Sequence, residues 1–320
     1  MLKLKQIISA GIVGLTTLSL VSTALADFPE RPIRVTHTSN PGAPIDVMMR
    51  NLATEMEKIA GVPVIVEGRP GGGGQVAIAY LRGQPADGHT LHTDATGITA
   101  IMQLPGAAHK MEDVMPLYRV QLDPFALYVR RGGDYETLED LIADMSERGQ
   151  RIRIGGFGTG SPHHLSTLEM ARQAGVDVRW VQYSSGADAV ADVMSGDLEA
   201  AMSNIAIYQR FIDRTQVLAH TSAERIADFP DVPTFAERGL DLTRYHWRGT
   251  FVHSDTPPEI ADRLFEIIDQ AARSESFQEY LRTTSTIFGG IPREEFAAIL
   301  DEQYRSDREV LIQLNMIQGN

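Results

Sequence analysis

The chain has 320 residues, 42 acidic against 29 basic side chains, a formal net charge of −13 and no cysteine. Such acidity excludes binding to nucleic acid or to an anionic membrane surface unless a local basic patch exists, and the sequence has none. The missing cysteines exclude disulfides, thiolate nucleophiles, cysteine-held metals and a lipidated cysteine anchor.

The first segment sets the compartment. Lys3 and Lys5 precede an apolar run over residues 7–20, which leads to the small-residue set Ala24-Leu25-Ala26. That order reads as a secretory signal peptide, residues 1–26, cleaved near Ala26. The run is short for a membrane span, which needs about 20 apolar residues. The expected product is a soluble periplasmic protein. Residues 1–26 carry two lysines and no acid, so the rest of the chain holds a charge of −15. Its length suits two domains.

Strands then alternate with helices. Strands are expected at 33–38, 62–66 and 90–94, with helices at 46–59 and 75–82 between them. The pattern restarts with a strand at 126–129, a helix at 138–148 and a strand at 151–154. A helix at 165–174, a strand at 178–183, a helix at 187–195 and short strands at 198–202 and 216–219 follow. A strand at 250–252 leaves this unit. Pro257-Pro258 then opens a helix over 259–273, with proline in its favoured first turn; further helices are expected at 277–282 and 293–314. Alternation of this kind means mostly parallel sheets flanked by helices. The fold class is therefore α/β, in two lobes, with a ligand cleft between them at the carboxyl ends of the strands.

Three strand-to-helix junctions carry unusual loops, at 39–45, 68–74 and 155–164. Each exposes backbone N–H groups at a helix start, where the helix dipole favours an anion. The second contains Gly72-Gly73-Gly74-Gln75-Val76-Ala77, which fits G-x-G-x-x-A, and Asp94 lies about twenty residues on. It follows the second strand of its unit rather than the first, and Gly68-Arg69-Pro70 lengthens the turn. A glycine turn that tightens strand–helix packing accounts for it better than a nicotinamide site. In the third loop, Gly158-Thr159-Gly160-Ser161 joins open amides to two hydroxyls, which suit a carboxylate; Ser161 also fits an N-cap, with Pro162 at the first helical position. His163 and His164 are adjacent, so they point in different directions on a helix, and no H-E-x-x-H or G-x-S-x-G occurs. No metal, cofactor or catalytic residue is expected.

Several segments occur in the order of one known family. They are Arg31-Pro32-Ile33-Arg34, the Pro41-Gly42 to Asp46 loop, Val66-Glu67-Gly68-Arg69-Pro70-Gly71, and Ala86-Asp87-Gly88-His89-Thr90-Leu91. Gly158, Ser161 and His164-Leu165, Gly196-Asp197-Leu198, and Phe229-Pro230-Asp231-Val232-Pro233-Thr234 follow. The chain resembles the Bug-type periplasmic receptors of tripartite tricarboxylate transporters over essentially its whole mature length. The resemblance implies a two-lobed periplasmic-binding-protein fold, capture of a small organic carboxylate, delivery to integral membrane transporter subunits, and a monomeric receptor. The carboxylate would be gripped by the loop of Ser39, Asn40, Gly42, Ala43, Pro44, Ile45 and Asp46. The facing loop would offer Gly158, Thr159, Ser161 and His164. Thr96, Tyr183 and Asn204 fall at positions that line the cleft in similar proteins. Lobe 1 would comprise residues 27–124 plus 248–320, and lobe 2 residues 125–247.

There are departures from the family pattern. Ser39 stands where an aromatic is usual, and Ala43-Pro44-Ile45 replaces two glycines and a threonine. This removes a hydroxyl and a backbone donor and suggests a less polar ligand. Arg248 follows Trp247 where an aromatic is usual. It would meet a second carboxylate, or else form a surface or hinge salt bridge. Two other functions compete with uptake: presentation of the solute to a two-component sensor, and an exported enzyme on the same fold, for which no acid–base pair is marked.

Overall fold

The computed structural model describes residues 28–313 and 316–319; the expected signal peptide lies outside them. The first half builds β1 (Ile33–His37), α1 (Pro44–Ala60), β2 (Val64–Gly68), α2 (Gln75–Arg82), β3 (Thr90–Ala95) and the single turn α3 (Ile98–Ile101). The long β4 (Val114–Arg130) leads into α4 (Leu138–Arg148), β5 (Arg153–Phe157), α5 (Pro162–Ala174) and β6 (Arg179–Tyr183). Then come α6 (Gly186–Ser195), β7 (Ala200–Asn204), the short α7 (Tyr208–Phe211) and β8 (Thr215–His220). The chain returns through β9 (Tyr245–His253) to α8 (Pro258–Ala272), α9 (Glu275–Thr283), β10 (Ile287–Phe288) and α10 (Arg293–Gln313).

The strands form one curled sheet in the order β2-β1-β3-β9-β4-β7-β5-β6, with β8 and β10 also on β4. At either end the pairing is parallel: β1 with β2 and β3, and β5 with β6 and β7. The middle is antiparallel, β3 with β9, β9 with β4, and β4 with β7 and β8. The result is the two-lobed α/β fold that the alternation implies.

Apolar burial follows the same division. One core packs Val35, Met48, Leu52, Val120, Leu264 and Phe277, from α1, α8, α9 and the first strands. A smaller one joins α2, β9 and α10 through Trp247, Phe251 and Phe296. Two others lie within residues 125–242 on opposite faces of the second half. Strands β4 and β9 link the two halves.

The sequence reading needs correction at this link. It expects strands at 126–129 and 250–252, but β4 has 17 residues and β9 has 9. Pro116 and Pro124 and the polar positions Gln121 and Asp123 hide β4 from a pattern search. Register shifts between Pro116 and Tyr118, and between Arg119 and Gln121, let it carry these residues without ending. The sequence also gives no sign of β10, two residues long.

Candidate functional site

The loop after β1 is held by Asp46. Helix α1 begins with Pro44 behind Ala43, which offers no capping side chain. Asp46, buried in the first turn, folds back instead. Its Oδ1 lies 2.9 Å from His37 Nε2, and its Oδ2 accepts from the Gly42 amide at 2.9 Å. Arg50, one turn on, donates to both oxygens at 3.0 and 2.9 Å. The Arg50 bonds lower the Asp46 carboxyl to about 2 against the opposing effect of burial, with help from Gly42 and His37. Burial in turn lowers the His37 pKa. The Ser39 amide donates to His37 Nδ1 at 3.3 Å, so the neutral ring carries its proton on Nε2, toward Asp46.

These bonds redistribute the expected ligand contacts. The Gly42 amide serves Asp46, and the Ala43 amide closes a turn on the Asn40 carbonyl at 3.2 Å. Ile45 is buried in the first core, so the inference of a less polar ligand loses its support from that side chain. Asp46 is the lock of the loop. Ser39 is half-buried, and Asn40, Gly42 and Pro44 are exposed. The uncapped start leaves the first-turn amides of Ile45 and Asp46 without a partner from the helix itself.

The four glycines at 71–74 all have positive φ, from 56° to 132°. A Cβ on Gly74 would stand 3.0 Å from Thr38 Cγ2 and 3.2 Å from Asp94 Oδ2. The loop is a close-packed turn against the ends of β1 and β3, as the packing reading expects.

The second loop, 155–164, is also largely self-satisfied. Ser161 caps α5, accepting from the His164 amide at 3.3 Å, and its hydroxyl donates to the Phe157 carbonyl. Gly158 N–H reaches the Tyr183 carbonyl at 3.2 Å, and Gly160 N–H donates to His164 Nδ1 at 3.1 Å. Thr159 Oγ1 donates to Gln182 Oε1 at 2.9 Å. The two histidines diverge. His164 stacks on Trp180 with ring centroids 4.7 Å apart. His163 packs edge-on against Phe125 and lies 2.9 Å from Asn204 Oδ1 through Nε2.

The remaining expected residues behave differently from one another. Thr96 is a clasp: its hydroxyl oxygen accepts from Trp247 N–H at 2.8 Å, and its carbonyl accepts from Gln303 at 2.7 Å. Tyr183 donates to Asp192 at 2.7 Å, and burial is the main cause that raises its hydroxyl to about 12. Asn204 and Arg248 belong to a cluster at the crossing strands that sequence reasoning missed. The β4–β9 register sets Gln121 opposite Arg248 and Asp123 opposite His246. Alternate residues of a strand share a face, so all four lie on one side. Phe125, next on that face, pairs with Asn204 on β7, and His163 joins from α5.

Several polar atoms in this cluster lack a hydrogen-bond partner: Gln121 Oε1, Asp123 Oδ1, His163 Nδ1 and His246 Nδ1. Burial raises Asp123 to about 6, opposed by Arg248, the Ala206 amide and Asn204. Burial lowers His163 to about 4 and holds His246 well below the usual histidine range. Arg248 is only 7% exposed, which excludes a surface salt bridge. Among the described residues no carboxylate lies within 4.0 Å of it. The signal available in the sequence was Gln121 and Asp123, polar at alternate positions of an apolar stretch.

No group of three or more His, Asp or Glu among the described residues is placed to hold a metal, and no described helix is long and apolar enough to cross a membrane. Two cavities, of about 430 and 500 Å³, lie beside Tyr245, one under residues 222–228 and α9, the other against α10. Neither is lined by the two loops.

The family model "Tripartite tricarboxylate transporter family receptor" matches residues 48–310. The chain belongs to this family of solute-binding receptors. Protein BugT of Bordetella pertussis is 28% identical over 83% of this chain and 84% of its own. The structure of a TctC solute-binding protein from Polaromonas, without ligand, is 26% identical and superposes with a TM-score of 0.82 over 89% of this chain and 99% of that one. A Rhodopseudomonas palustris protein with adipate is 24% identical, with a TM-score of 0.73 over 89% of this chain and 97% of that chain, and shares the fold.

Proposed function

We propose that this receptor captures an organic carboxylate between the loops at 39–46 and 155–164 and delivers it to membrane transporter subunits. On this reading the chain is exported to the periplasm, loses residues 1–26 near Ala26, and acts as a monomeric receptor rather than an enzyme. Lobe 1 is residues 27–124 plus 248–320, and lobe 2 is residues 125–247, a division that the separate cores support.

The observation that carries the reading is the start of α1. A 17-residue helix whose N-cap is alanine has first-turn amides that no capping side chain receives. The one nearby acid, Asp46, is already bound to His37, Gly42 and Arg50. A ligand carboxylate completes that cap and gains charge-assisted hydrogen bonds. The adipate held by the Rhodopseudomonas palustris relative is a ligand of this class.

A thermal-shift screen of residues 27–320 against mono-, di- and tricarboxylates, aromatic acids and amino acids tests the proposal. A true ligand at 100 times its dissociation constant stabilises by about 2.7 kcal/mol. Stabilisation by carboxylates and not by their amides is expected. A well-folded protein that responds to none of them contradicts the reading.

A further inference from the structure

We infer that Phe157 is a specificity-determining residue of the receptor. Its exposed ring covers the hydrocarbon body of the ligand, so the preferred carboxylates carry an aromatic or branched aliphatic group rather than further hydroxyls or charges. The inference rests on the carboxylate-receptor reading and adds to it the character of the ligand beyond its carboxylate.

Three observations carry it. The first is exposure. Five large hydrophobic side chains are exposed among the described residues, and Phe157, at 48%, is the one aromatic. A single apolar residue on a surface is ordinary, but this one stands in a ligand loop on a backbone held in place. Phe157 ends β5 in register with Tyr183 of β6, and its carbonyl accepts from the Ser161 hydroxyl. The next amide, Gly158, is held by the Tyr183 carbonyl. The ring joins neither core of the second half.

The second is direction. The Phe157 ring stands edge-on to His163 with centroids 6.2 Å apart, and His163 lies 4.8 Å from Phe125 in the same way. Phe125 belongs to the crossing strand β4, and His163 also meets Asn204 at the end of β7. The three rings run outward from the crossing strands, with Phe157 outermost, on the cleft side of its loop.

The third is what each loop has left to offer. The Gly158 and Gly160 amides and the Thr159 and Ser161 hydroxyls are all bonded within the second lobe, so the ring of Phe157 is the open surface of that loop. The first loop is the reverse: its uncapped amides await an anion, and Val47, 40% exposed in the first turn of α1, stands beside them. One lobe supplies donors for the carboxylate, and both supply apolar surface for what is attached to it. Few polar groups in an apolar lining is the usual make-up of a small-molecule site. The less polar ligand expected from Ile45 is thereby assigned to other side chains.

The test is calorimetry of residues 27–320 at pH 7. Benzoate, phenylacetate and isovalerate are compared with acetate, lactate, malate and every polar acid that the thermal-shift screen returns. The best apolar acid is expected to bind on the order of tenfold tighter than the best polar one, about what covering the open half of a phenyl ring contributes, and with a more negative heat-capacity change. In F157S that advantage disappears while the polar acids bind as before; F157L keeps most of it. Circular dichroism and melting temperatures of both variants are expected to match the unaltered protein, since the ring joins no core. A polar acid that binds as tightly as the best apolar one, or an advantage that survives F157S, overturns the role of Phe157 and leaves the receptor reading standing. Failure of every acid in both groups and in the screen removes the receptor reading itself.

Discussion

Replacing Asp46 by asparagine isolates the lock that shapes the first loop. The carboxylate accepts four hydrogen bonds, two on each oxygen, from His37, Gly42 and Arg50. An asparagine has one acceptor oxygen, and its amide nitrogen must face donors. The shift of the carboxyl from 3.8 to about 2 is nearly two units, which corresponds to about 2–3 kcal/mol. The carboxyl is buried, so solvent screens it little, although Arg50 is about half exposed and high salt weakens its share. The folded pKa lies below the unfolded one. The stabilisation is therefore complete above about pH 4 and disappears as the pH falls through about 2. Calorimetry of D46N at pH 7 is expected to show a melting temperature roughly 5–10 °C lower, with a smaller difference at pH 3. The loop loses its Gly42 bond, so carboxylate affinity falls as well. An unchanged melting temperature at pH 7 would refute the lock.

Other substitutions and conditions probe the rest of the frame. In G156A the new Cβ meets the Met202 carbonyl and Trp180 at 2.6 Å; the backbone oxygen has nowhere to move, so a loss of more than about 2 kcal/mol is expected on urea unfolding, and a neutral result would contradict the packing of β5 on β7. T96V removes the acceptor of the buried Trp247 amide; a cost of about 1–3 kcal/mol is expected, and an unchanged unfolding midpoint would show that Thr96 is no clasp. His163 and His220 are both held at about 4 by burial. Their stabilisation is complete above about pH 6.5 and is lost progressively down to about pH 4, at about 2 kcal/mol each by pH 5. Asp123, raised to about 6, works in the opposite sense below pH 6 and offsets part of that loss. Melting temperatures should fall between pH 7.5 and 5, and a flat profile would contradict the buried neutral rings.

The sequence was most legible where one physical rule dominated. Helix α4 lies where its pattern puts it, and α5 begins behind Ser161, the cap that the sequence offers. The glycine run at 71–74 reads correctly as a turn, because only glycine accepts positive φ at four successive positions. The crossing strands were hardly visible. Their polar residues satisfy nothing local, and strand patterning is blind to a face buried between two lobes. The loops were legible as loops, but not in their bonding. Nothing in the order of residues shows that Gly42 turns its amide to Asp46, or that Ile45 enters a core, since both depend on the distant His37 and on the packing of α1.

The most direct test is a crystal structure of residues 27–320 grown with the tightest carboxylate from the screen. One carboxylate is expected at the start of α1, within hydrogen-bond distance of the Ile45 or Asp46 amide, with the facing loop at 155–164 closed on the same molecule. A ligand seated instead in the cavity under residues 222–228, touching neither loop, would contradict the account.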